Sequence, residues 1–336
     1  MRFRLFLLCL PVWLAACSKS SAPVRLDFVG ATGLTSGSRL VGSADTLLTR
    51  AYAVSADNAL QRLEISVAYE PGLQPISYPS PISGYDPKKN APGTLQVVYL
   101  DSLIRPINRT DPQGNLTSEY LFQNQFVARV SSGTELWTYT TTDARSQSAS
   151  RGLRLTVRKA DSAAVYQAYT TRLQAIARTA NVRDSVRAIA RSFLNLHYGL
   201  LLPKYSITTH KPNQQLVDLI AVTNGQTFSL SAPTNADVVG TGLGWPLTNR
   251  RATELRSTAL TPAAFTAATT EANFTAIFAT GAEFTLNKSS TGTLGINQVI
   301  AFKTLEDTTS RYGLLQVVGF RFLPTPTIIC AVRMQK

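Results

Sequence analysis

Histidine and cysteine are both scarce in this chain, and their scarcity excludes several kinds of catalytic and metal site. The 336 residues include two histidines, His197 and His210, and three cysteines. A structural zinc site needs four ligands that are mostly Cys or His, and no His-Glu-x-x-His segment is present. The Gly-x-Ser-x-Gly turn that carries an activated serine in many hydrolases is also absent. We therefore predict no catalytic, cofactor-binding or metal-ligating residue.

The start of the chain has too few apolar residues to cross a membrane but enough for an export signal. Arg2 and Arg4 precede an apolar run over residues 5–13. A transmembrane helix needs roughly 20 residues. A basic start, a short apolar core and small residues before a cleavage site are typical of a secretory signal peptide, which we predict over residues 1–16.

Four residues at the end of this leader resemble the lipobox of bacterial lipoproteins: Leu14, Ala15, Ala16 and Cys17. In that family the cysteine thiol receives a diacylglyceryl group, the chain is cut before it, and the new amino terminus is acylated. The resemblance therefore implies a lipid on Cys17, and two or more acyl chains hold a protein stably at a bilayer. The alternative is an ordinary signal peptide that contains a cysteine by chance.

The residue after Cys17 indicates which membrane the protein is delivered to. An Asp at this position would resemble an inner-membrane retention signal, but this chain has Ser18 there. The resemblance therefore implies a lipid anchor in the outer membrane of a Gram-negative cell, with residues 17–24 as a tether. It leaves open whether the protein faces the periplasm or the outside.

Disulfide bonds are not expected in the mature chain. Cys9 lies in the predicted leader and Cys17 would carry the lipid, so Cys330 would be the remaining thiol. It lies in an apolar segment, residues 327–332, and a free cysteine in such surroundings behaves as a small buried hydrophobe.

Acidic residues are fewer than basic ones, and the net charge is +13. Charged residues form only 16% of the chain, and no run of five or six like charges occurs, as nucleic-acid-binding tails have. We therefore expect no nucleic-acid partner for an exported protein. Anionic lipid or an acidic glycan could use the positive balance, but dispersed solvated charge explains it better.

Alternating apolar residues predict half-buried strands between residues 25 and 158. Leu63, Ile65, Val67 and Tyr69 show the pattern, and short strands separated by turn clusters indicate a sandwich. Residues 137–157 resemble the last hairpin of immunoglobulin-like modules of the PKD and cadherin-like kind. That resemblance implies an immunoglobulin-like β-sandwich, but the calcium ligands of cadherins have no counterpart here, so it implies no metal.

Helical spacing follows the predicted sandwich. Val165, Tyr169, Leu173 and Ile176 recur three or four residues apart, and a second stretch begins at Asp184. We predict a helical connector over residues 159–194.

The remainder, residues 195–336, has strand patterns again. The segment 216–222 is apolar enough for a central strand, and Thr261 before Pro262 predicts a capped helix. The closing strands, from residue 299 onward, resemble the C-terminal module of exported lipoproteins of uncharacterised role. The predicted fold class is mainly β: an immunoglobulin-like β-sandwich, a helical connector and a second β-rich domain.

Aromatic residues on predicted strands and loops are the candidates for ligand contact. Trp137 and Tyr139 alternate with threonine, and Trp245 follows a glycine-rich loop. Exposed rings could stack on sugars, whereas burial in the core would explain the same residues. We predict a lipid-anchored, non-enzymatic binding or assembly module whose partner is a glycan or an envelope protein. The alternatives are an envelope hydrolase with acidic catalytic residues on C-terminal domain loops, and a structural spacer.

Overall fold

The protein is described by a computed structural model over residues 23–79, 81–159, 164–177, 189–235, 244–285, 288–306 and 308–336. The predicted leader, the lipobox, Cys17 and most of the tether lie outside the described residues. The described part of the chain is mainly β, which confirms the main claim of the predicted fold class. None of its helices is long and apolar enough to span a membrane.

The strands of the first half of the described chain are β1 (Val24–Phe28), β2 (Arg39–Val41), β3 (Thr46–Ser55), β4 (Leu60–Glu70), β5 (Leu95–Leu103), β6 (Ile107–Thr110), β7 (Leu116–Val127), β8 (Gly133–Asp143) and β9 (Ser148–Val157). Those of the second half are β10 (Tyr166–Gln174), β11 (Ile176–Ala177), β12 (Phe193–Asn195), β13 (Leu200–Leu202), β14 (Leu219–Thr223), β15 (Phe228–Ser231), β16 (Thr253–Ser257), β17 (Ala282–Glu283), β18 (Val299–Glu306), β19 (Thr309–Arg321) and β20 (Thr327–Gln335).

The described helices are short. The α-helices are α1 (Pro87–Asn90), α2 (Lys204–Thr209), α3 (Pro262–Ala267) and α4 (Glu271–Thr280), and the 3₁₀ helices span Ile82–Gly84, Lys211–Leu216 and Leu247–Asn249. The predicted cap of α3 is confirmed, because the Thr261 hydroxyl accepts a hydrogen bond of 3.2 Å from the Ala264 amide. Satisfying an amide at the start of a helix in this way stabilises that end.

The predicted sandwich is formed by two sheets with the orders β1-β3-β7-β6 and β2-β9-β8-β4-β5. Strand β2 pairs parallel with β9, and the other pairs are antiparallel. The first sheet follows the order of strands A, B, E and D of an immunoglobulin-like sandwich, and β9, β8 and β4 in the second sheet follow the order of strands G, F and C. The predicted face of β4 is confirmed, since its alternate residues from Leu63 to Tyr69 are buried.

The rest of the described chain forms two further sheets. One has the order β10-β20-β19-β18-β16-β17, and we call it the C-terminal sheet. The other has the order β11-β14-β12-β13, with β15 paired to β14. All residues of β14 are buried, as predicted for a central strand. Helix α4 packs on the C-terminal sheet through Phe274, which lies in a cluster with Val299 and Leu314.

The predicted helix after residue 161 is wrong over its described part. Residues 166–174 form β10, which pairs antiparallel with β20 and places Tyr169 opposite Val332. Tyr169 and Leu173 are four residues apart, a spacing that satisfies both a helix and a strand. Thr171 between them is also buried, so the true period is two. Long-range pairing with the apolar β20 overrides the helix propensity of the local sequence. The second predicted helix lies mostly outside the described residues, and its last residue, Phe193, begins β12.

The predicted boundary between residues 194 and 195 falls inside β12. Phe193, Ile220 and Trp245 belong to the same buried cluster as the sandwich residues Phe126 and Trp137. The segment after the sandwich is therefore packed against it through a shared core.

Candidate functional site

Two of the three candidate stacking residues lie in the sandwich core. Trp137 and Tyr139 are fully buried. The ring centroid of Trp137 is 4.0 Å from that of Phe126, and the Tyr139 hydroxyl is 2.7 Å from Thr49 Oγ1. The prediction that these two residues stack on a ligand is wrong, because neither ring has a face that a ligand can reach. Aromatic and threonine residues alternate on β8 because the aromatic residues lie on the side of the strand that faces the core.

The third candidate, Trp245, is also buried, with 4% of its surface exposed. Its indole Nε1 donates a hydrogen bond of 3.0 Å to the carbonyl of Asn249, and its own carbonyl accepts one of 2.7 Å from Arg250 Nη2. These bonds close the turn over residues 245–250 on itself. Trp245 therefore does not stack on a ligand but supports one wall of a neighbouring cleft.

We call this cleft the polar cleft; its volume is about 620 Å³. It is lined by residues from the turn before β13, from two 3₁₀ helices, and from the ends of the strands β16 and β18: Tyr198, Pro212, Gln215, Leu216, Thr248, Asn249, Arg250, Arg251, Ala252, Leu305 and Glu306. Small-molecule sites usually measure about 300–1,000 Å³. The polar cleft therefore has the size of a ligand site, and amide, guanidinium, phenol and carboxylate groups line it.

Glu306, the acidic residue among the described lining residues, is held by several partners. Its Oε2 lies 2.5 Å from His197 Nδ1 and 3.1 Å from Arg311 Nε. Its Oε1 lies 4.0 Å from Arg251 Nη2. Burial alone would raise the pKa of Glu306. The hydrogen bond and charge of His197, the Tyr198 hydroxyl and the Arg251 charge together outweigh burial and lower the pKa to about 2. Glu306 is therefore a carboxylate at every physiological pH.

A second carboxylate, Asp218, lies behind the cleft wall and is fully buried. Arg251 joins the two acids, since its Nη1 is 3.2 Å from Asp218 Oδ1. The Thr304 hydroxyl and the Leu196 amide each donate a hydrogen bond of 2.7 Å to Asp218. Burial raises the pKa of Asp218, and the Arg251 charge and these hydrogen bonds oppose that rise. Asp218 fixes Arg251 and has no access to a ligand.

This geometry limits the chemistry of the cleft. Hydrolysis of a glycosidic bond by paired carboxylates needs two acids that both reach the substrate, roughly 5–9.5 Å apart. Glu306 is tied into ion pairs and Asp218 is buried, so the described cleft has one carboxylate that borders its space. His197 is 3% exposed, and its Nε2 has no hydrogen-bond partner among the described residues. Within the described residues no three His, Cys, Asp or Glu side chains come together as a metal site.

Sequence reasoning named His197 but missed Arg251, Asp218 and Glu306. These residues come from separate loops and strand ends, and each is an ordinary charged residue in its local segment. The one local signal is the turn at Tyr198-Gly199, where Gly199 has a φ of +62° and a Cβ would lie 2.6 Å from Val130. A glycine is needed there, and it directs His197 and Tyr198 toward the cluster.

Comparison with known proteins gives no family for this chain. No protein-family model matches it, and no curated protein matches it. A sporulation control protein from Bacillus subtilis is 9% identical, with 62% of this chain and 78% of that chain covered and a TM-score of 0.24. A protein that catalyses macrocyclization in alchivemycin A biosynthesis is 9% identical, with 42% and 93% covered and a TM-score of 0.21. These scores carry no argument about the function of this chain.

Proposed function

We propose that this protein is a lipid-anchored, non-enzymatic binding module of the outer membrane that holds a glycan in the polar cleft. The observation that carries the proposal is the cleft itself, a space of about 620 Å³ bordered by hydrogen-bonding side chains. Sugars are recognised by a few convergent polar groups beside an aromatic ring. The resemblance of the sandwich to PKD and cadherin-like modules supports a binding or assembly role.

The walls of the cleft favour binding because they are set before a ligand arrives. The Gln215 and Asn249 amides are joined by a bond of 3.4 Å, and Asn249 Nδ2 also donates to Gln214 at 3.2 Å. Trp245 holds the turn behind Asn249, and Arg251 is held by two carboxylates. A ligand that meets preorganised groups loses less free energy in ordering them.

The hydrolase alternative has less support, because the cleft offers one carboxylate and that carboxylate is ion-paired. A protein partner and a spacer role remain as outcomes of the binding experiment. A spacer binds neither glycans nor envelope proteins, and a hydrolase consumes its ligand.

The cleft is tested by screening the purified full chain on an array of envelope-type glycans, followed by calorimetry with the best binder. Gln215→Ala should weaken binding about tenfold, as loss of one or two hydrogen bonds does. Gln226→Ala is the matched control, because Gln226 is an exposed glutamine on the β14–β15 turn. No binding to any glycan, or equal loss with both variants, would reject the polar cleft as a glycan site.

The anchor is tested separately with Cys17→Ala. We expect the variant to leave the membrane fraction and to lose incorporation of labelled palmitate, since the thiol that would carry the lipid is gone. A variant that stays membrane-bound and labelled would reject the anchor without affecting the cleft.

A further inference from the structure

A second cavity, of about 410 Å³, lies between the sandwich and the C-terminal sheet, and we call it the basic cavity. Residues from both units and from the segment between them line it: Thr46, Gln125, Arg172, Gln174, Arg191, Arg321, Pro324, Thr325, Thr327 and Ile329. Three of these side chains are guanidinium groups, and the described lining contains no acidic side chain.

Strand register explains how two of the arginines come together. Strand β20 lies between β10 and β19, and Thr327 is opposite Gln174 on one side and Arg321 on the other. Arg172 is opposite Ile329, two residues further along β20. Residues directly across a ladder, and residues two apart on one strand, share a face of the sheet. Arg172 and Arg321 therefore lie on one face, at the same end of β20, and both are exposed at the rim.

Arg191 is the unusual member of this group. Only 4% of its surface is exposed, and its Nη1 donates a long bond of 3.4 Å to Thr46 Oγ1. Its Nε has no hydrogen-bond partner among the residues that the structure describes. No ion pair to Arg191 exists within the described part of the chain. Burial lowers the pKa of Arg191, and the neighbouring phenols of Tyr99 and Tyr205 raise it. A guanidinium remains charged in proteins, so Arg191 is a buried cation that has no counter-charge among the described residues.

A buried charge is costly unless it is paired. The described lining of the basic cavity contains no carboxylate, whereas the half-buried Arg251 at the polar cleft is paired with Asp218 and Glu306. Three guanidinium groups therefore meet at one lined space without a described acid among them.

We infer that the basic cavity binds a phosphoryl group, presented by a small phosphorylated molecule or by a phospholipid headgroup. Three cations in a described lining that holds no acid match a dianion better than a monoanion, because a carboxylate would leave two positive charges uncompensated. Guanidinium groups donate paired hydrogen bonds to phosphate oxygens. The volume admits more than phosphate alone, and Gln125, Gln174 and Thr325 can meet the group that carries it. This site is distinct from the polar cleft, and it does not depend on glycan binding.

The rim of the cavity suggests why a lipid is one of the two sources. Leu323 is 80% exposed and Phe322 44% exposed, directly beside Arg321 and Pro324. Exposed apolar residues next to basic ones are typical of surfaces that touch an anionic bilayer. A soluble phosphate ester would contact the same arginines but would not need Phe322 or Leu323.

The test is calorimetry of the purified full chain with inorganic phosphate, glycerol phosphate and acetate. We expect both phosphates to bind and acetate to bind far more weakly. Arg191→Met should weaken phosphate binding about tenfold to a hundredfold, the range for charge-assisted hydrogen bonds. Its thermal stability without phosphate should be unchanged or higher, because an unpaired buried charge is removed. The matched control is Arg145→Met, which removes an exposed arginine from the β8–β9 turn and should bind as the wild type does.

A further variant keeps the test valid if Arg191→Met fails to fold. The double variant Arg172→Met and Arg321→Met changes exposed rim residues and should fold normally while losing phosphate affinity. Binding of wild type and Leu323→Ser to vesicles with and without phosphatidylglycerol distinguishes a phospholipid headgroup from a soluble phosphate ester. Binding either to these vesicles or to the soluble phosphates supports the site. Equal affinity for acetate and phosphate, absence of phosphate binding, or unchanged affinity in the arginine variants would overturn it.

Discussion

The indole Nε1 of Trp137 donates a hydrogen bond of 2.7 Å to Oε2 of Glu135, and both side chains lie inside the sandwich core. The backbone amide of Arg129 donates to the other oxygen, Oε1. The aromatic residue that sequence analysis offered as a sugar-stacking group is therefore the hydrogen-bond donor to a buried acid. Burial raises the pKa of Glu135 from 4.5 to about 7, although these hydrogen bonds and the Arg129 charge lower it.

The first prediction concerns stability near neutral pH. Because the pKa of Glu135 is higher in the folded than in the unfolded chain, its contribution to stability is full below about pH 4.5 and is lost as pH rises through about 7. The difference in melting temperature between wild type and Glu135→Gln should therefore change across this window. Thermal unfolding at a series of pH values measures it. Glu271→Gln, at an exposed site, is the control, and a Glu135 difference as flat as the control difference would contradict the prediction.

The second prediction concerns acid. Glu306 has a folded pKa of about 2, below its ordinary 4.5, so its contribution is present above about pH 4.5 and is lost as pH falls through about 2. Wild type should lose more stability than Glu306→Gln on acidification through that window. Denaturant unfolding at each pH measures the effect. If both proteins lose stability with the same slope, the ion pairs around Glu306 do not hold in solution.

The third prediction concerns the packing of the C-terminal sheet. A Cβ at Gly313 would lie 2.4 Å from a ring carbon of Phe302 and 2.6 Å from the carbonyl of Arg333. Gly313→Ala should therefore destabilise the fold by about 1–3 kcal/mol, as overpacking does. Gly319→Ala, in the same strand, is the matched control, because a Cβ there meets nothing within 4 Å. Chemical denaturation compares the two, and equal stability would show that the sheet can move to admit the methyl group.

The sandwich could be predicted because several of its strands carry a signal of their own. Along β4, buried and less buried residues alternate one by one, so the strand can be recognised from its own sequence without knowing which strands pair with it. The strand β10 could not be recognised in this way. The spacing of Tyr169 and Leu173 fits both a helix and a strand. The strand forms because these residues pair with apolar residues of β20, which lie far away in the sequence.

The functional regions were harder still to predict. Pattern arguments place a charged residue such as Glu135 outward, although it shares the buried face of β8 with Trp137. The cluster of Arg251, Asp218 and Glu306 assembles from distant segments and has no local signature. The basic cavity likewise needs the register of three strands, although the excess of positive charge was visible from composition.

The last prediction concerns Cys330, whose predicted burial is confirmed. It lies on β20 between Thr171 of β10 and Val317 of β19, and it is fully buried. Burial raises the pKa of its thiol well above the ordinary value, so the reactive thiolate is scarce. Native protein should resist DTNB or a maleimide at Cys330 and react there only when unfolded, with the labelled peptide identified by mass spectrometry.

Substitution at Cys330 separates packing from chemistry. Cys330→Ser should cost about 1–3 kcal/mol of unfolding free energy, because a hydroxyl replaces a small hydrophobe in a buried site. Cys330→Ala is the control that removes the sulfur without adding a polar group, and it should cost less. Fast labelling of the folded protein, at the rate of a free thiol, would show that β20 opens readily and that Cys330 is available for chemistry. A slow reaction that accelerates in step with denaturant would show that access to the thiol requires unfolding of the C-terminal sheet.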